Sequence, residues 1–381
     1  MFLCPRCRHA FRAAQRICPR DEVVLVPAAS IDSRIGTVMG NHRLVDVLGT
    51  GGMGAVYLAE HVYIGTRSAI KILHEQYAAE SDAVARLLQE ARAAAAIGHG
   101  NIVAVSDFGE TPDGLAYIVM EYVEGRPLDA LLEASAPLPL FRTINIVNQI
   151  GGGLGAAHEK GIVHRDLKPE NVMLVERAGR RKVVRRDSGA VEMEGNYDHV
   201  KILDFGVAKM LDTELSRRTM SGVVIGTPQY MAPETARATK EVDHRIDIYA
   251  LGVMFYEMLT ARLPFEASTP MEMMLAHCSA PVPPLRERNP RAEVTPAAEA
   301  LILRALAKSP DERHADMGEF LDELQGCYGE ENFLRNVEAD EAGPSARAPR
   351  PRSLTEDLKE LLAGGGNEIL ERAFAEDPKK K

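Results

Sequence analysis

The sequence predicts an α+β protein with two lobes, of which the first is rich in strands and the second is mainly helical. Three observations predict it. Between about Leu44 and Met120 the apolar residues alternate or form short β-branched runs, which is typical of strands. Beyond Leu128 the pattern becomes helical. Residues 246–259 are apolar on nearly every face, as in a helix buried at the centre of a large lobe.

The chain has 381 residues, which is enough for a two-lobed domain with appendages, because single cores stop growing near about 250 to 300 residues. We expect a cysteine-anchored module at 1–26, a linker at 27–40, a main domain at 41–327 with lobes at 41–123 and 124–327, and a tail at 328–381. The tail contains a segment rich in Pro, Ala and Arg and then two short amphipathic stretches, so we expect it to be partly disordered.

Composition narrows the function classes. The net charge of −10 argues against a protein that coats nucleic acid. No stretch reaches the roughly 20 apolar residues that cross a bilayer, and the first residues contain no apolar signal core. The chain has five cysteines, and three of them lie close to its beginning, which indicates metal binding in a reducing compartment. We therefore expect a cytoplasmic protein without nucleic-acid or membrane partners.

A glycine-rich segment lies early in the strand-rich lobe. Its residues are Leu48, Gly49, Thr50, Gly51, Gly52, Met53, Gly54, Ala55 and Val56. Glycines at this G-x-G-x-x-G spacing let a bare backbone approach phosphate oxygens and donate N–H groups to them. Because strand-like residues follow and not a helix, the segment does not fit a dinucleotide-binding turn. A hairpin that covers ATP remains, and a plain glycine-rich turn is the alternative.

Lys71 lies within an apolar strand, where a charge needs a partner. Glu90 is the best candidate, because it lies on a predicted helix for which Ser81 is a suitable N-cap. A Lys–Glu ion pair there would hold the ammonium against the α- and β-phosphates of ATP. Other glutamates nearby in sequence are Glu60, Glu75 and Glu80.

The run from His164 to Asn171 carries the strongest chemical pattern in the chain. Asp166 can accept or orient the proton of an attacking hydroxyl, and Lys168 can stabilise a phosphoryl group in transfer. Asn171 can ligate Mg²⁺ or Mn²⁺, and Asp204, which follows a β-branched run, supplies a second metal ligand. Together these residues predict phosphoryl transfer from ATP.

With these motifs the chain resembles the bacterial serine/threonine protein kinases of eukaryotic (Hanks) type, over about residues 41–324. The resemblance implies a bilobal protein-kinase fold, ATP and Mg²⁺ as cofactors, and transfer of the γ-phosphate to Ser and Thr of protein substrates. Both Lys168 and Thr227 fit Ser/Thr specificity. Further implied roles are Val56 and Ala69 against the adenine, Met120 as gatekeeper, Glu121, Tyr122 and Val123 as hinge, Asp247 as a brace of the catalytic loop, and Arg313 paired with Glu234.

Two other function classes stay open. A pseudokinase scaffold would be expected to lack at least one of the catalytic residues, and none is missing from the sequence. An adaptor that acts through the N-terminal module can coexist with a kinase. Docking partners for that module or for the tail are possible, and so is a homodimer.

Two cysteine knuckles near the beginning of the chain predict a zinc-ribbon-like module. Cys4, Cys7 and Cys18 would supply three thiolates, and Asp21 occupies the place of a fourth cysteine. His9 is the competing fourth ligand. So short a module could not fold on its apolar content, so Zn²⁺ would have to stabilise it.

A long insertion from Arg177 to Asp198 separates Asn171 from Asp204. Its basic first half and acidic second half favour an extended solvated hairpin, and a docking surface is the alternative. The motifs on both sides of it are intact, so we do not expect it to disable the site.

An arginine directly before the catalytic aspartate, here Arg165, often needs an anionic partner. A phosphate on Thr219 or Ser221 would supply one, with Thr213 and Ser216 as the less favoured acceptors. Autophosphorylation at Thr219 or Ser221 should then raise activity. The combined Thr219→Ala and Ser221→Ala variant should have a lower phosphate-transfer rate than the unaltered chain, measured with labelled ATP. An unchanged rate would refute this mechanism.

Overall fold

The structure is a computed structural model, and it describes residues 2–3, 10–11, 17–19, 26–27, 32–51, 54–74, 91–92, 94–111, 114–185, 189–204, 228–237, 239, 242–328 and 334–336. The chain divides into two compact units, residues 1–335 and 336–381, and of the second unit only Asn336 is described. Both lobes belong to the first unit.

The strands are β1 (Phe2–Leu3), β2 (Ala10–Phe11), β3 (Val26–Pro27), β4 (Val38–Met39), β5 (His42–Thr50), β6 (Gly54–His61), β7 (Arg67–Leu73), β8 (Val105–Glu110), β9 (Ala116–Glu121), β10 (Arg126–Pro127), β11 (Val172–Arg185), β12 (Gly189–Ile202) and β13 (Leu334–Asn336). The helices are α1 (Leu128–Ser135), α2 (Leu140–His158), α3 (Pro233–Ala236), α4 (Arg245–Thr260), α5 (Pro270–Ser279), α6 (Leu285–Arg288), α7 (Pro296–Ala305) and α8 (Met317–Gln325). Residues 91, 92 and 94–97 are also helical.

The N-terminal residues form a small antiparallel sheet with the strand order β2-β1-β3. Cys18 is fully buried. Cys4, Cys7, His9 and Asp21 lie outside the described residues. Within the described part of the chain, no group of three His, Cys, Asp or Glu side chains could hold a metal ion. The zinc ligands therefore stay a prediction.

The first lobe is a six-stranded antiparallel sheet with the order β4-β5-β6-β7-β9-β8, as the strand-like pattern predicts. Alternate side chains such as Tyr57, Ile70 and Val119 are fully buried and form its apolar core. Part of the predicted linker also packs here: Met39 belongs to this core, and the Tyr57 hydroxyl donates to Asp32 at 2.9 Å. These contacts attach residues 32–40 to the sheet.

The second lobe surrounds α4, which is buried along nearly its whole length. The sequence predicts this burial because the helix carries apolar residues on every face. Side chains of α2, α7 and α8 share one apolar cluster with it. Burial of this apolar surface is the main favourable term in the folding of the lobe. Among the described residues, no helix is long and apolar enough to span a bilayer.

The insertion forms a β-hairpin of β11 and β12, in register from Val172 opposite Ile202 to Arg185 opposite Gly189. This confirms the hairpin that the sequence predicts. At its base Val172, Val200 and Ile202 are fully buried in the core of the second lobe. Arg142 donates two hydrogen bonds to Asp198, at 2.7 and 2.9 Å, and ties the base of the hairpin to α2. The insertion thus extends a pair of strands that the core already holds.

The end of β12 joins the two lobes. The Ile202 N–H donates to the Asn101 carbonyl at 2.7 Å, and the Val103 N–H donates to the Ile202 carbonyl at 3.0 Å. The Asn101 side chain also donates to the Val200 carbonyl at 2.9 Å. The segment between the helical residues 94–97 and β8 is therefore bonded to a strand of the second lobe.

Candidate active site

A cleft of about 750 Å³ lies between the two lobes. Most of the site residues that the sequence predicts line this cleft. They are Leu48, Gly49, Thr50, Gly51, Gly54, Val56, Ala69, Lys71, Met120, Glu121, Tyr122, Val123, Asp166, Lys168, Asn171 and Asp204. Residues distant in sequence thus converge on one cleft. Ala55 is buried and does not line it.

The glycine-rich segment connects β5 and β6 and covers one side of the cleft. The Gly51 N–H donates to the Gly54 carbonyl at 2.9 Å and closes the turn. A Cβ atom on Gly54 would lie only 2.1 Å from the Ile72 carbonyl oxygen of β7, so only glycine fits there. A Cβ atom on Gly49 would have no atom within 4 Å apart from those of Gly49 and its two chain neighbours. Gly54 is therefore required by strand packing and Gly49 leaves its surface open to the cleft.

Lys71 and Asp204 form an ion pair inside the cleft, with 3.0 Å between Nζ and Oδ1. The Lys71 side chain is 13% exposed, so the pair is only partly screened by water. Burial raises the pKa of the Asp204 carboxyl, but the Lys71 ammonium and its hydrogen bond outweigh burial and lower the pKa below its usual value. Asp204 is thus held as a carboxylate. Glu90, the predicted partner of Lys71, lies outside the described residues.

The catalytic loop brings three functional side chains together. The Asn171 amide nitrogen donates to the Asp166 carbonyl at 2.8 Å, which holds the loop closed. Lys168 Nζ lies 3.7 Å from Asp166 Oδ2. The Leu203 N–H donates to the Asn171 carbonyl at 2.8 Å, so the strand before Asp204 is bonded to the same loop. The two segments that the sequence separates by the insertion are adjacent here.

Asp247 on α4 holds the backbone of this loop from below. Its carboxylate accepts the N–H groups of His164 at 2.8 Å and Arg165 at 2.9 Å, and lies 2.8 Å from His158 Nε2. Burial raises the pKa of Asp247, but the hydrogen bond with His158 and the nearby His164 outweigh burial. The pKa of this carboxyl therefore lies below its usual value. The structure therefore gives Asp247 the bracing position that the resemblance implies.

A second buried ion pair joins Arg313 to Glu234, with hydrogen bonds of 2.7 and 2.8 Å. Both side chains are almost fully buried. The guanidinium also donates to the Ala307 and Arg245 carbonyls, so four of its five N–H groups have hydrogen-bond acceptors. This pair anchors α3, which the described residues 228–232 separate from the undescribed residues 205–227.

Two non-glycine residues of the site have left-handed backbone angles, with φ of 65° at Arg165 and 49° at Asp204. Such conformations are uncommon for residues with a side chain and persist where surrounding contacts fix them. Here the Asp247 bond to Arg165 and the Lys71 bond to Asp204 provide those contacts. The strain coincides with the residues expected to position phosphate and metal.

Some lining residues were not assigned as site residues from the sequence. Gly125, Pro127, Glu170, Met173 and Leu203 line the cleft as well. Met173 lies two residues after Asn171 at the start of β11, so strand alternation could have placed it on the cleft side. No sequence signal marks Gly125, where a Cβ atom would lie 2.5 Å from the Leu174 carbonyl oxygen.

Other predicted residues cannot be placed, because Gly52, Met53, Thr219, Ser221 and Thr227 lie outside the described residues. Their roles as phosphate-binding, phosphorylated or substrate-selecting residues stay predictions.

The residues present fit a nucleotide with a divalent cation. Carboxylate and carboxamide oxygens are the ligands that Mg²⁺ prefers, and Asp204 and Asn171 supply them on one wall of the cleft. Across from them, the glycine hairpin leaves backbone surface open, as phosphate binding requires. A two-lobed fold with this site defines the class of protein kinases.

Comparison with known proteins supports this assignment to the protein kinases. The protein kinase domain family matches residues 42–323, and the chain belongs to this family. The chain is 41% identical over 342 residues to the serine/threonine-protein kinase Pkn1 of Myxococcus xanthus, in an alignment covering 90% of this chain and 43% of that protein. It is 37% identical over 351 residues to pkn3 of the same organism, covering 90% and 61%. The kinase domain is thus similar to those of bacterial proteins named serine/threonine-protein kinases.

A solved structure shows the same fold. The crystal structure of the Mycobacterium tuberculosis PknI kinase domain has 27% sequence identity and a TM-score of 0.54, covering 76% of this chain and 97% of that one. The chain spans between about two-fifths and three-fifths of the length of the two curated relatives.

The glycine contacts give a stability test. Gly54→Ala should lower the free energy of unfolding by about 1–3 kcal/mol, because its Cβ atom forces β6 away from β7. Gly49→Ala is the matched control and should change it by less than about 0.5 kcal/mol, because no protein atom lies near its Cβ. Urea unfolding without nucleotide measures both. Equal effects of the two variants would contradict the packing argument.

Proposed function

We propose that this chain is a serine/threonine protein kinase that transfers the γ-phosphate of Mg²⁺-ATP to Ser and Thr hydroxyls of protein substrates. One observation carries the proposal: Lys71, Asp166, Lys168, Asn171 and Asp204 line a single cleft beneath a glycine hairpin. Phosphoryl transfer needs positioning and charge neutralisation more than covalent chemistry, and these residues supply both.

The nucleotide would lie with its adenine against Val56, Ala69 and Met120 and its phosphates toward Lys71. The ammonium of Lys71 offsets phosphate charge in a cleft where water screens it little. Asp204 and Asn171 would hold Mg²⁺, which neutralises the charge that develops on the phosphoryl oxygens.

Asp166 would act on the acceptor hydroxyl. Its carboxylate would orient the hydroxyl for in-line attack on the γ-phosphorus and take up the hydroxyl proton as the new O–P bond forms. The bond from the γ-phosphorus to the β,γ-bridging oxygen breaks in the same step, and ADP leaves with its electron pair. Lys168, whose Nζ lies 3.7 Å from Asp166 Oδ2, is near enough to stabilise the phosphoryl group in transfer. The braced loop backbone keeps both side chains on the same wall of the cleft.

The preference for Ser and Thr rests on two supports. Lys168 stands two residues after Asp166, as in serine/threonine kinases, and the similar proteins Pkn1 and pkn3 carry that name. Autophosphorylation at Thr219 or Ser221 belongs to the same proposal, with Arg165 as the cation that a phosphate would approach.

The activity is tested with labelled ATP, Mg²⁺ and a generic basic protein as acceptor. Asp166→Asn should lower kcat by at least about 100-fold, because the carboxylate that positions the hydroxyl is lost. Its KM for ATP should stay within about threefold, because Asp166 does not hold the nucleotide in this mechanism. Transfer by the variant at the rate of the unaltered chain would refute the role of Asp166. No transfer by the unaltered chain with Mg²⁺ or Mn²⁺ would favour a pseudokinase scaffold.

We also propose that the N-terminal module binds one Zn²⁺ through Cys4, Cys7, Cys18 and either Asp21 or His9. The support is the spacing of the knuckles and the shortness of the three-stranded sheet, whose strands have only two residues each. A docking partner for this module is part of the same proposal.

Metal analysis of the purified chain should find about one Zn²⁺ per chain, and Cys4→Ser with Cys7→Ser should abolish it. Asp21→Ala and His9→Ala are compared to identify the fourth ligand. The substitution that weakens Zn²⁺ binding more marks the residue that ligates the metal. Cys278→Ser is the control and should keep the full zinc content. A metal-free preparation that retains the protease resistance of the module would contradict a structural zinc site.

A further inference from the structure

An ion pair outside the kinase motifs joins β12 to the hinge. Lys201 Nζ lies 2.9 Å from Glu121 Oε2, with the Lys201 side chain 13% exposed and the Glu121 side chain 36% exposed. Lys201 precedes Asp204 by three residues, and Glu121 and Asp204 both line the cleft. The pair therefore joins the hinge to the segment that leads to Asp204.

Glu121 is fixed in three ways. Its N–H donates to the Ala104 carbonyl at 2.9 Å, and its Oε2 accepts the Ala104 N–H at 3.4 Å. The third contact is Lys201. The first two contacts are both with Ala104, a residue of the first lobe, so the contact with Lys201 is the one of the three that ties Glu121 to the second lobe.

The backbone directly after Lys201 is also held by hydrogen bonds. Ile202 and Leu203 donate their N–H groups to the carbonyls of Asn101 and Asn171, at 2.7 and 2.8 Å. Asp204 follows directly and pairs with Lys71. From Lys201 to Asp204 an extended chain spans about 10 Å. This short segment thus links the hinge to the phosphate end of the cleft.

We propose that Lys201 is a positioning residue that sets the separation between the hinge and Asp204. This inference rests on the proposed function, in which adenine binds at the hinge and phosphates bind near Asp204. A ligand that contacts both ends must match their separation, and a cleft held at the matching separation binds it without an ordering cost. A ligand that contacts the hinge alone does not depend on that separation.

The test compares two ligands that differ only in their phosphates. In Lys201→Met, the Kd for Mg²⁺-ATP should rise about tenfold, whereas the Kd for adenosine should change less than about twofold. The KM for ATP should rise in parallel with its Kd, while kcat stays within about twofold. Lys201→Arg keeps the cation and should bind ATP nearly as the unaltered chain does. Calorimetry measures the two affinities, and the melting temperature verifies that each variant is folded.

The chain offers a matched control. Arg67 and Glu124 form another ion pair beside the hinge, at 3.9 Å and with side chains 60% and 83% exposed. Arg67→Met removes a cation from the same neighbourhood and should leave both affinities unchanged. Glu121→Gln should reproduce the effect of Lys201→Met, and the double variant should add nothing, because both changes break one interaction.

Equal weakening of ATP and adenosine would overturn the proposal, because it would give Lys201 a local role at the hinge. An unchanged affinity for ATP would also overturn the proposal. A rise in kcat would overturn it as well, because it would show that the ion pair restrains the motion of the lobes. Failure of the proposed function is distinguishable, because the unaltered chain would then bind no ATP or transfer no phosphate.

Discussion

The buried carboxylate of Asp247 is the constraint on which the rest of the site depends. A charge at that depth is tolerated only with strong partners, and the N–H groups of His164 and Arg165 together with His158 provide them. In satisfying Asp247, the chain fixes the backbone at the start of the catalytic loop and holds Arg165 in a left-handed conformation. Asp166 follows directly, so its position derives from the core of the helical lobe.

From this anchor the site is assembled by a short series of bonds. Asn171 holds the loop closed against the Asp166 carbonyl, and its own carbonyl accepts the N–H of Leu203. Asp204 then meets Lys71, which belongs to the sheet of the other lobe. Lys71 and Asp204 are therefore paired before a ligand arrives, and the low exposure of the Lys71 side chain strengthens their interaction. A preorganised arrangement of this kind costs little reorganisation during phosphoryl transfer.

The sequence pattern predicted individual helices and strands well where one physical rule dominates. The apolar surface of α4 on all faces indicated a central buried helix, and the basic and acidic halves of the insertion favoured a hairpin. The linker shows where pattern reasoning falls short. Residues 32–40 read as a connector, yet Met39 packs in the sheet core and Asp32 accepts a hydrogen bond from Tyr57. Those contacts depend on a side chain far along the chain, which local spacing does not report.

The sequence by itself predicted the chemistry that we propose, because phosphoryl transfer needs carboxylates, an ammonium and a carboxamide at fixed spacings within short loops. The sequence also marked Gly54 as part of a glycine pattern, but it did not give the reason for the glycine. That reason is the packing of β6 against β7, where a Cβ atom on Gly54 would lie 2.1 Å from a carbonyl oxygen. Tertiary structure alone decided which charges meet. Lys71 pairs with Asp204, and Lys201 pairs with Glu121, because folding brings together strands that are distant in the chain, and an ion pair depends on distance in space.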